Sequence, residues 1–400
     1  MQKFISAHKV MSVLAVVVTL ILLIVIYLDL HLLLFPMPKQ LDEAIEQQMR
    51  AAKIPGAAVA VVKDGEIVFA EGYGYADPVT MRPVTPDTLF TIASVSKTVT
   101  GTALMELYEQ GQFDLDEDIN RYLPFPVRNP SYPGDMVTFR MLLTHTSSII
   151  DSAVYDSSYT LISGGDYEDS PISLENFLVD YFSKDGQYYD AKNNYSKNKP
   201  GTTYQYSNIG FGLAAYLVEQ ISGMPFDVFC KEEIFVPLGM YTTGWFFRDI
   251  DKDIMAVPTM YTAWNRAYKR VGFYGYPTYT DGALKTSVNE YARFLSLFLP
   301  KIGETGQTNI LQPETVAEML KIQFDDKDTQ IGLVWHLTGN TYQHSGGDPG
   351  ISTITAFNPK KNLGIIVFTN GDSSADILNG IRSSVFLKRI VLILSAAFTN

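Results

Sequence analysis

Two pairs of apolar, strand-type runs stand at opposite ends of this 400-residue chain, each pair with its own turn. Residues 56–62 (GAAVAVV) and 66–72 (EIVFAEG) flank Lys63-Asp64-Gly65. Asp-Gly between two such runs tolerates the positive φ angles of a tight hairpin. Residues 351–357 (ISTITAF) and 363–370 (LGIIVFTN), joined by Asn358-Pro-Lys-Lys-Asn362, read as a second hairpin, and 331–337 as a further strand. The middle of the chain differs. Helical patterns occupy 95–110, 173–183, 209–222, 287–299 and 313–321, between loops rich in Tyr, Gly, Asp and Ser. Helices also close both ends, at 38–53 (Leu41, Ile45 and Met49 on one face) and 377–397. A layer built from both termini with a mainly helical insertion follows. Ser287-Val-Asn-Glu290 fits a capping box for the fourth helix.

Residues 10–28 (VMSVLAVVVTLILLIVIYL) are uncharged and almost wholly apolar, close to the ~20 residues a membrane-spanning helix needs. No small-residue cleavage pattern follows them. An uncleaved signal anchor over 1–36 fits, with a cleaved signal peptide as the alternative. Lys3 and Lys9 precede the run and Asp42, Glu43 and Glu46 lie beyond it, which places the rest of the chain outside the cytoplasm. The expected location is therefore membrane-anchored, with the main domain at the cell surface or in the periplasm. The chain is 46% apolar and carries a net charge of −12, which argues against nucleic acid as a partner. One cysteine, Cys230, excludes an internal disulfide and reads as a core thiol.

Chemistry is suggested by S-x-x-K, present at Ser6–Lys9, Ser94–Lys97 and Ser196–Lys199. The first lies in the cytoplasmic flank and the third in the polar loop 184–200. Ser94 opens an apolar helix, where free backbone N–H groups and the helix dipole favour negative charge. Lys97 lies one turn along; buried, its pKa falls, and a neutral amine can activate a hydroxyl. A serine cap beside a solvated lysine is the plainer reading of the tetrad taken alone. Tyr206-x-Asn208 sits at the start of the helix at 209–222. Its phenol can carry a proton and its amide can bind a substrate carbonyl or hold the lysine; a capped turn is the plain reading. His344-Ser345-Gly346-Gly347 precedes the strand 351–357. Its glycines admit close backbone approach, and a strand edge there can offer N–H groups to an oxyanion.

In this order the three motifs resemble the penicillin-recognising serine hydrolases: serine β-lactamases of the class C type, D-Ala-D-Ala peptidases and related esterases. LFTIASVSK, MLLTHTSSI, PGTTYQYSNIGFGLAAYLVEQISG, DGALKTSVNEYARFL and HSGGDPGIS carry the resemblance over roughly 40–395. It implies an α/β (α+β) fold: an antiparallel sheet flanked by helices from about 37–94 and 325–397, with a helical subdomain over about 95–324. It also implies an acyl-enzyme on Ser94, proton transfer by Lys97 and Tyr206, and an oxyanion hole from the N–H groups of Ser94 and Gly347. Asn208 and the His344-Ser345-Gly346 strand would orient a small-molecule or peptidic substrate of possible cell-wall origin. No cofactor or metal is expected. Two departures stand out. His344 replaces the usual lysine, and a histidine is mostly neutral at pH 7, which favours an ester or amide substrate over an anionic one. Ser148 stands where glycine is more usual. A true β-lactamase and a catalytically silent homologue that binds cell-wall fragments are the alternatives.

Overall fold

The computed structural model describes Val17, Thr19, Leu20 and residues 40–161, 169–262, 266–299, 310–371 and 377–399. Apart from three residues, the expected anchor at 10–28 lies outside the described residues. Among those described, no helix is long and apolar enough to cross a membrane.

The principal elements are α1 (Leu41–Ala52), β1 (Gly56–Lys63), β2 (Glu66–Asp77), α2 (Ser96–Glu109), α3 (Asn208–Ser222), α4 (Val288–Leu295), β3 (Thr341–Asp348), β4 (Ile351–Asn358), β5 (Leu363–Thr369) and α5 (Ile377–Phe398). One nine-stranded sheet joins the two ends of the chain. Its order is Phe324–Asp325, Gln330–Ile331, His336–Thr338, β3, β4, β5, β1, β2, Arg82–Pro83, with antiparallel pairing throughout. Both expected hairpins form. Asp64 (φ 53°) and Gly65 (φ 76°) supply the two left-handed positions the first turn needs. The expected strand at 331–337 is instead two short strands. Val334 at φ 73° breaks the run between them.

Central position explains why β1 reads as a continuous apolar run rather than an alternating one: it is buried on both faces. Ala57, Val59 and Val61 pack with Ile365, Val367, α1 and α5. Ala58, Ala60 and Val62 face the helical side of the molecule with Ile366 and Phe368. Burying each such valine contributes about 1.5–3 kcal/mol. α4, though within the expected insertion, lies against this sheet, with the Tyr291 ring 5.4 Å from Phe368. Half of its expected capping box forms. Ser287 accepts the Glu290 N–H, but the Glu290 carboxylate turns to the Thr242 N–H and the Thr243 hydroxyl.

α2 is buried all round rather than along one stripe, from Ser96 to Leu107. Its threonines make that possible, because each donates to a carbonyl: Thr98 to Val95, Thr102 to Thr98 and Thr100 to Thr280. A helix held this firmly fixes what stands at its start.

Candidate active site

Ser94 lies in a 3₁₀ turn, Ala93–Val95, that leads into α2. Ala93 sits at φ 47°, a left-handed backbone costly for a residue with a Cβ and found most often at functional sites. The serine-cap reading fails, because neither turn nor helix has a side-chain cap. The solvated-lysine reading fails as well: Lys97 is 0% exposed.

The Lys97 Nζ has three acceptors: Ser94 Oγ at 3.1 Å, Asn208 Oδ1 at 2.6 Å and the Asp281 carbonyl at 2.7 Å. Three acceptors match the three N–H groups of an ammonium. Burial opposes the charge, but the facing Tyr206 oxygen and the Asp281 carboxylate, 3.9 Å away, outweigh it and hold the pKa above lysine's ordinary value. The lowered pKa expected from burial alone is thus reversed by neighbours 109 to 184 residues distant in sequence. The Tyr206 hydroxyl meets both Ser94 and Lys97. Burial raises its pKa, and Lys97 pulls it only part of the way back. At neutral pH the pair therefore rests as ammonium and phenol, and one proton must leave before either can accept another. We expect kcat/KM for acylation to climb as pH rises above neutrality, read from a pH profile on a substrate that does not titrate; a flat profile contradicts this pairing.

Tyr206 lies in the loop before α3, and Asn208 is the first residue of that helix. Asp151 accepts from the Asn208 and Ile209 backbone N–H groups, each at 2.9 Å, and from the Asn208 side chain at 2.9 Å, so it anchors the start of α3. Both ends of the Asn208 amide are thereby engaged, which fits the lysine-holding role rather than substrate binding. His145 accepts the Ser207 N–H on Nδ1 at 3.1 Å, leaving its proton on Nε2, and its ring centre lies 4.2 Å from that of Tyr206. Burial pushes its pKa well below the usual value, so it is a neutral packing support. Ser148, in the same loop, sits at φ 66°, where glycine is free of strain. The Asn129 amide donates to its hydroxyl at 3.0 Å and offsets the cost.

β3 brings up the third motif. Its outer neighbour, His336–Thr338, pairs only as far as Gln343, so beyond that point the edge is open among the described residues. Two-residue turns at 339–340 and 349–350 fix the alternation at both ends. Thr341 and Gln343 bond outward, whereas His344, Gly346 and Asp348 bond to β4. The N–H groups of Ser345 and Gly347 therefore point to the open edge. Gly346 faces the turn that carries Ser94, where a Cβ would come within 2.5 Å of the Ile92 carbonyl and 2.9 Å of the Ser94 nitrogen. Gly346→Ala is expected to push β3 off that turn and to lower kcat/KM by roughly a hundredfold, measured beside a melting curve that reports whether the fold survives. The Ser345 side chain is exposed and lies across the sheet from Ser94. His344 is 2% exposed; its Nδ1 donates to the Ser345 carbonyl at 3.0 Å, and Nε2 is a buried acceptor with no partner. Burial, with His336 and Lys97 nearby, drives its pKa well down. The strand thus offers no cation.

The sequence reading missed a polar chain running from Lys97 to the end of β3. Tyr155 donates to Asp281 at 3.0 Å, the Tyr155 and Tyr159 hydroxyls are 3.1 Å apart, and Tyr159 and Tyr276 donate to Asp348 at 3.1 and 3.5 Å. Tyr276 belongs to a Tyr-rich stretch that packs into the core here. Burial raises Asp281 to about 6, against the pull of Lys97, and raises Asp348 to about 7. The neutral Asp348 carboxyl therefore favours the fold below its unfolded pKa, and that contribution is lost as pH rises through about 7. Asp348→Asn is expected to gain on the order of 2–4 kcal/mol over the native protein at pH 8 relative to pH 4, read by urea unfolding at the two pH values.

Ser196, Lys199 and Asn289 lie apart from this site. Lys199 pairs with Asp135 at 3.0 Å and Asn289 with Asp87 at 2.7 Å. Cys230 is buried, and burial pushes its thiol well up. Among the described residues no cluster of His, Cys, Asp or Glu could hold a metal ion.

A family model described as Beta-lactamase matches residues 41–383. The chain belongs to the beta-lactamase family. This is a family of serine hydrolases that includes penicillin-binding proteins, β-lactamases and amidases. Among curated proteins, "Protein flp" of Staphylococcus aureus (strain MRSA252) is 23% identical over 337 residues, 84% of this chain and 63% of that protein. The match thus spans less than two thirds of this relative's length. The octameric penicillin-binding protein homologue from Pyrococcus abyssi superposes with a TM-score of 0.71 at 25% identity, covering 89% of this chain and 77% of that one. A D-amino acid amidase from Ochrobactrum anthropi SV3, at 23% identity and TM-score 0.69, covers 89% of this chain and 99% of its own. At that identity the likeness shows the fold alone.

Proposed function

We propose that the protein is a serine hydrolase that cleaves an ester or amide through an acyl-enzyme on Ser94. The observation that carries this reading is the buried Lys97 ammonium donating to the Ser94 hydroxyl at 3.1 Å. The Lys97–Tyr206 pair, once it has lost a proton, takes the Ser94 proton as Oγ bonds to the substrate carbonyl carbon. The oxyanion settles against the N–H groups of Ser94 and Gly347. The proton then passes through Tyr206 to the leaving oxygen or nitrogen, and the C–O or C–N bond breaks. Water attacks the acyl-enzyme by the same route, giving up its proton to the pair and releasing the acid and Ser94. Asn208 holds Lys97 in place throughout.

Substrate class follows from the absence of a cation on β3. A neutral His344 supports esters and D-amino-acid amides over β-lactams, whose carboxylate has no partner on that strand. The test is a parallel screen of p-nitrophenyl esters, D-amino-acid amides and nitrocefin. Turnover of the first two above the third is expected. Rapid nitrocefin hydrolysis reverses the ranking and makes the protein a β-lactamase; no Ser94-dependent turnover of any makes it a silent homologue.

Membrane anchoring and an outward-facing domain belong to the proposal through the apolar run at 10–28 alone. Full-length protein should stay with membranes after alkaline carbonate washing, and a form lacking residues 1–36 should not.

A further inference from the structure

A cavity of about 370 Å³ opens in the helical part of the molecule, lined by Glu175, Glu219, Asp227, Arg248, Tyr276 and Tyr279 among others. None of Ser94, Lys97, Tyr206 and Asn208 lines it. Glu219 stands near the far end of α3, about 16 Å from Asn208 by helical rise. Tyr276 lines the cavity while its hydroxyl reaches Asp348 at 3.5 Å, so this buried ring stands between the cavity and the end of β3.

Three carboxylates face one cation here. Arg248 pairs with Asp227 at 3.3 Å and Asp249 at 3.6 Å, and its guanidinium lies 3.9 Å from the centre of the Phe246 ring. It is spent on those partners. Glu175 and Glu219 have no ion pair among the described residues. Each accepts one hydrogen bond, Glu175 from the Tyr216 hydroxyl at 3.1 Å and Glu219 from the Phe226 N–H at 3.0 Å. The second oxygen of each has no donor among the described residues. Burial, with Asp227 and Glu175 nearby, raises Glu219 to about 7, and no cation pulls it back. Tyr279 adds an independent sign of a missing ligand. It is 8% exposed and lines the cavity, yet its hydroxyl has no partner among the described residues. The charges that bear most on that hydroxyl are those of Glu219 and Asp227, so it points toward the carboxylates. A buried phenol ordinarily finds a hydrogen-bond partner.

The three carboxylates do not converge closely enough to hold a metal ion. They share one cavity of molecular size instead, walled by the Phe246, Tyr276 and Tyr279 rings. Spaced carboxylates suit spaced positive charges, and aromatic walls suit ammonium groups and the methylenes between them. We propose that this cavity binds a short aliphatic diamine, at a site separate from the reaction at Ser94. One ammonium donates to Glu219 and to the Tyr279 oxygen, the second donates to Glu175, and the methylene chain lies on the rings.

The experiment is calorimetry on full-length protein in an uncharged detergent at about pH 8, with 1,5-diaminopentane and 1,5-pentanediol as probes. The native protein should bind the diamine and not the diol. Glu219→Gln keeps an acceptor for the Phe226 N–H and should weaken diamine binding roughly tenfold, as expected for loss of a charge-assisted hydrogen bond. Glu175→Gln, at an exposed position, carries the same expectation and decides the matter if Glu219→Gln loses its fold. Tyr279→Phe, which removes only the hydroxyl, should weaken binding by a smaller factor. Asp325→Asn, an exposed acid at the edge of the sheet, should leave it unchanged. Absent binding, equal binding of the diol, or undiminished binding in the two glutamate variants overturns the proposal. So does equal weakening in Asp325→Asn, which would show that a chain of net charge −12 gathers the cation over its whole surface. The readout needs no turnover, so failure of the reaction proposed at Ser94 would leave this result standing.

Discussion

Replacing Ser94 with alanine is expected to lower kcat/KM on any ester the protein cleaves by at least about a thousandfold, the scale seen when a covalent nucleophile is removed. The fold should survive. Ser94 makes one of three hydrogen bonds to Lys97, and the other two, to Asn208 and the Asp281 carbonyl, remain. One buried ammonium N–H is left without a partner, at a cost of about 1–3 kcal/mol. A small fall in melting temperature beside a near-total loss of turnover is therefore the expected result. Equal loss in both would point to a structural serine.

Lys97→Met should reverse that balance. Methionine fills much of the lysine's volume but removes the charge at the centre of the site. Asp281, already held near pKa 6 with Lys97 pulling it down, loses its counter-charge, and Asn208 Oδ1 and the Asp281 carbonyl lose their donor. Breaking a buried ionic arrangement from one side costs about 3–5 kcal/mol. Turnover should also fall by roughly a thousandfold or more, because the proton-carrying pair no longer exists. A double substitution separates the two effects. Lys97→Met with Asp281→Asn should recover part of the stability, since the orphaned carboxylate is gone, and none of the activity. Recovery of activity would show that Lys97 serves only to balance Asp281. Urea unfolding and ester hydrolysis on the four proteins of the cycle supply the measurement.

The turn that carries Ser94, the segment Tyr206-x-Asn208 and the glycine-rich strand were legible in the sequence as candidates because each combines a polar residue with a local signal: a helix start, a cap or a turn. Both hairpins were legible for the same reason, Asp64-Gly65 above all. What escaped notice acts over distance. Asp281 meets Lys97 across 184 residues, and Asp151 meets Asn208 across 57. A lone Asp in a loop carries no period or spacing to mark it. Asp281 does stand in DGALKTSVNEYARFL, one of the phrases shared with the family, and that was its available signal. The direction of the Lys97 shift failed for a related reason: burial can be read from an apolar helix, but the facing groups cannot. At 331–337 an apolar run concealed a break, since only the backbone reveals Val334 at φ 73°.

The central claim is that Ser94 forms a covalent acyl-enzyme, and the most direct measurement is the mass of the protein after treatment with a fluorophosphonate, followed by peptide mapping. The account predicts one adduct per chain, on the peptide bearing Ser94, faster at alkaline than at neutral pH and absent from Ser94→Ala. An adduct that persists in Ser94→Ala, or that maps to Ser196 or another serine, would contradict it.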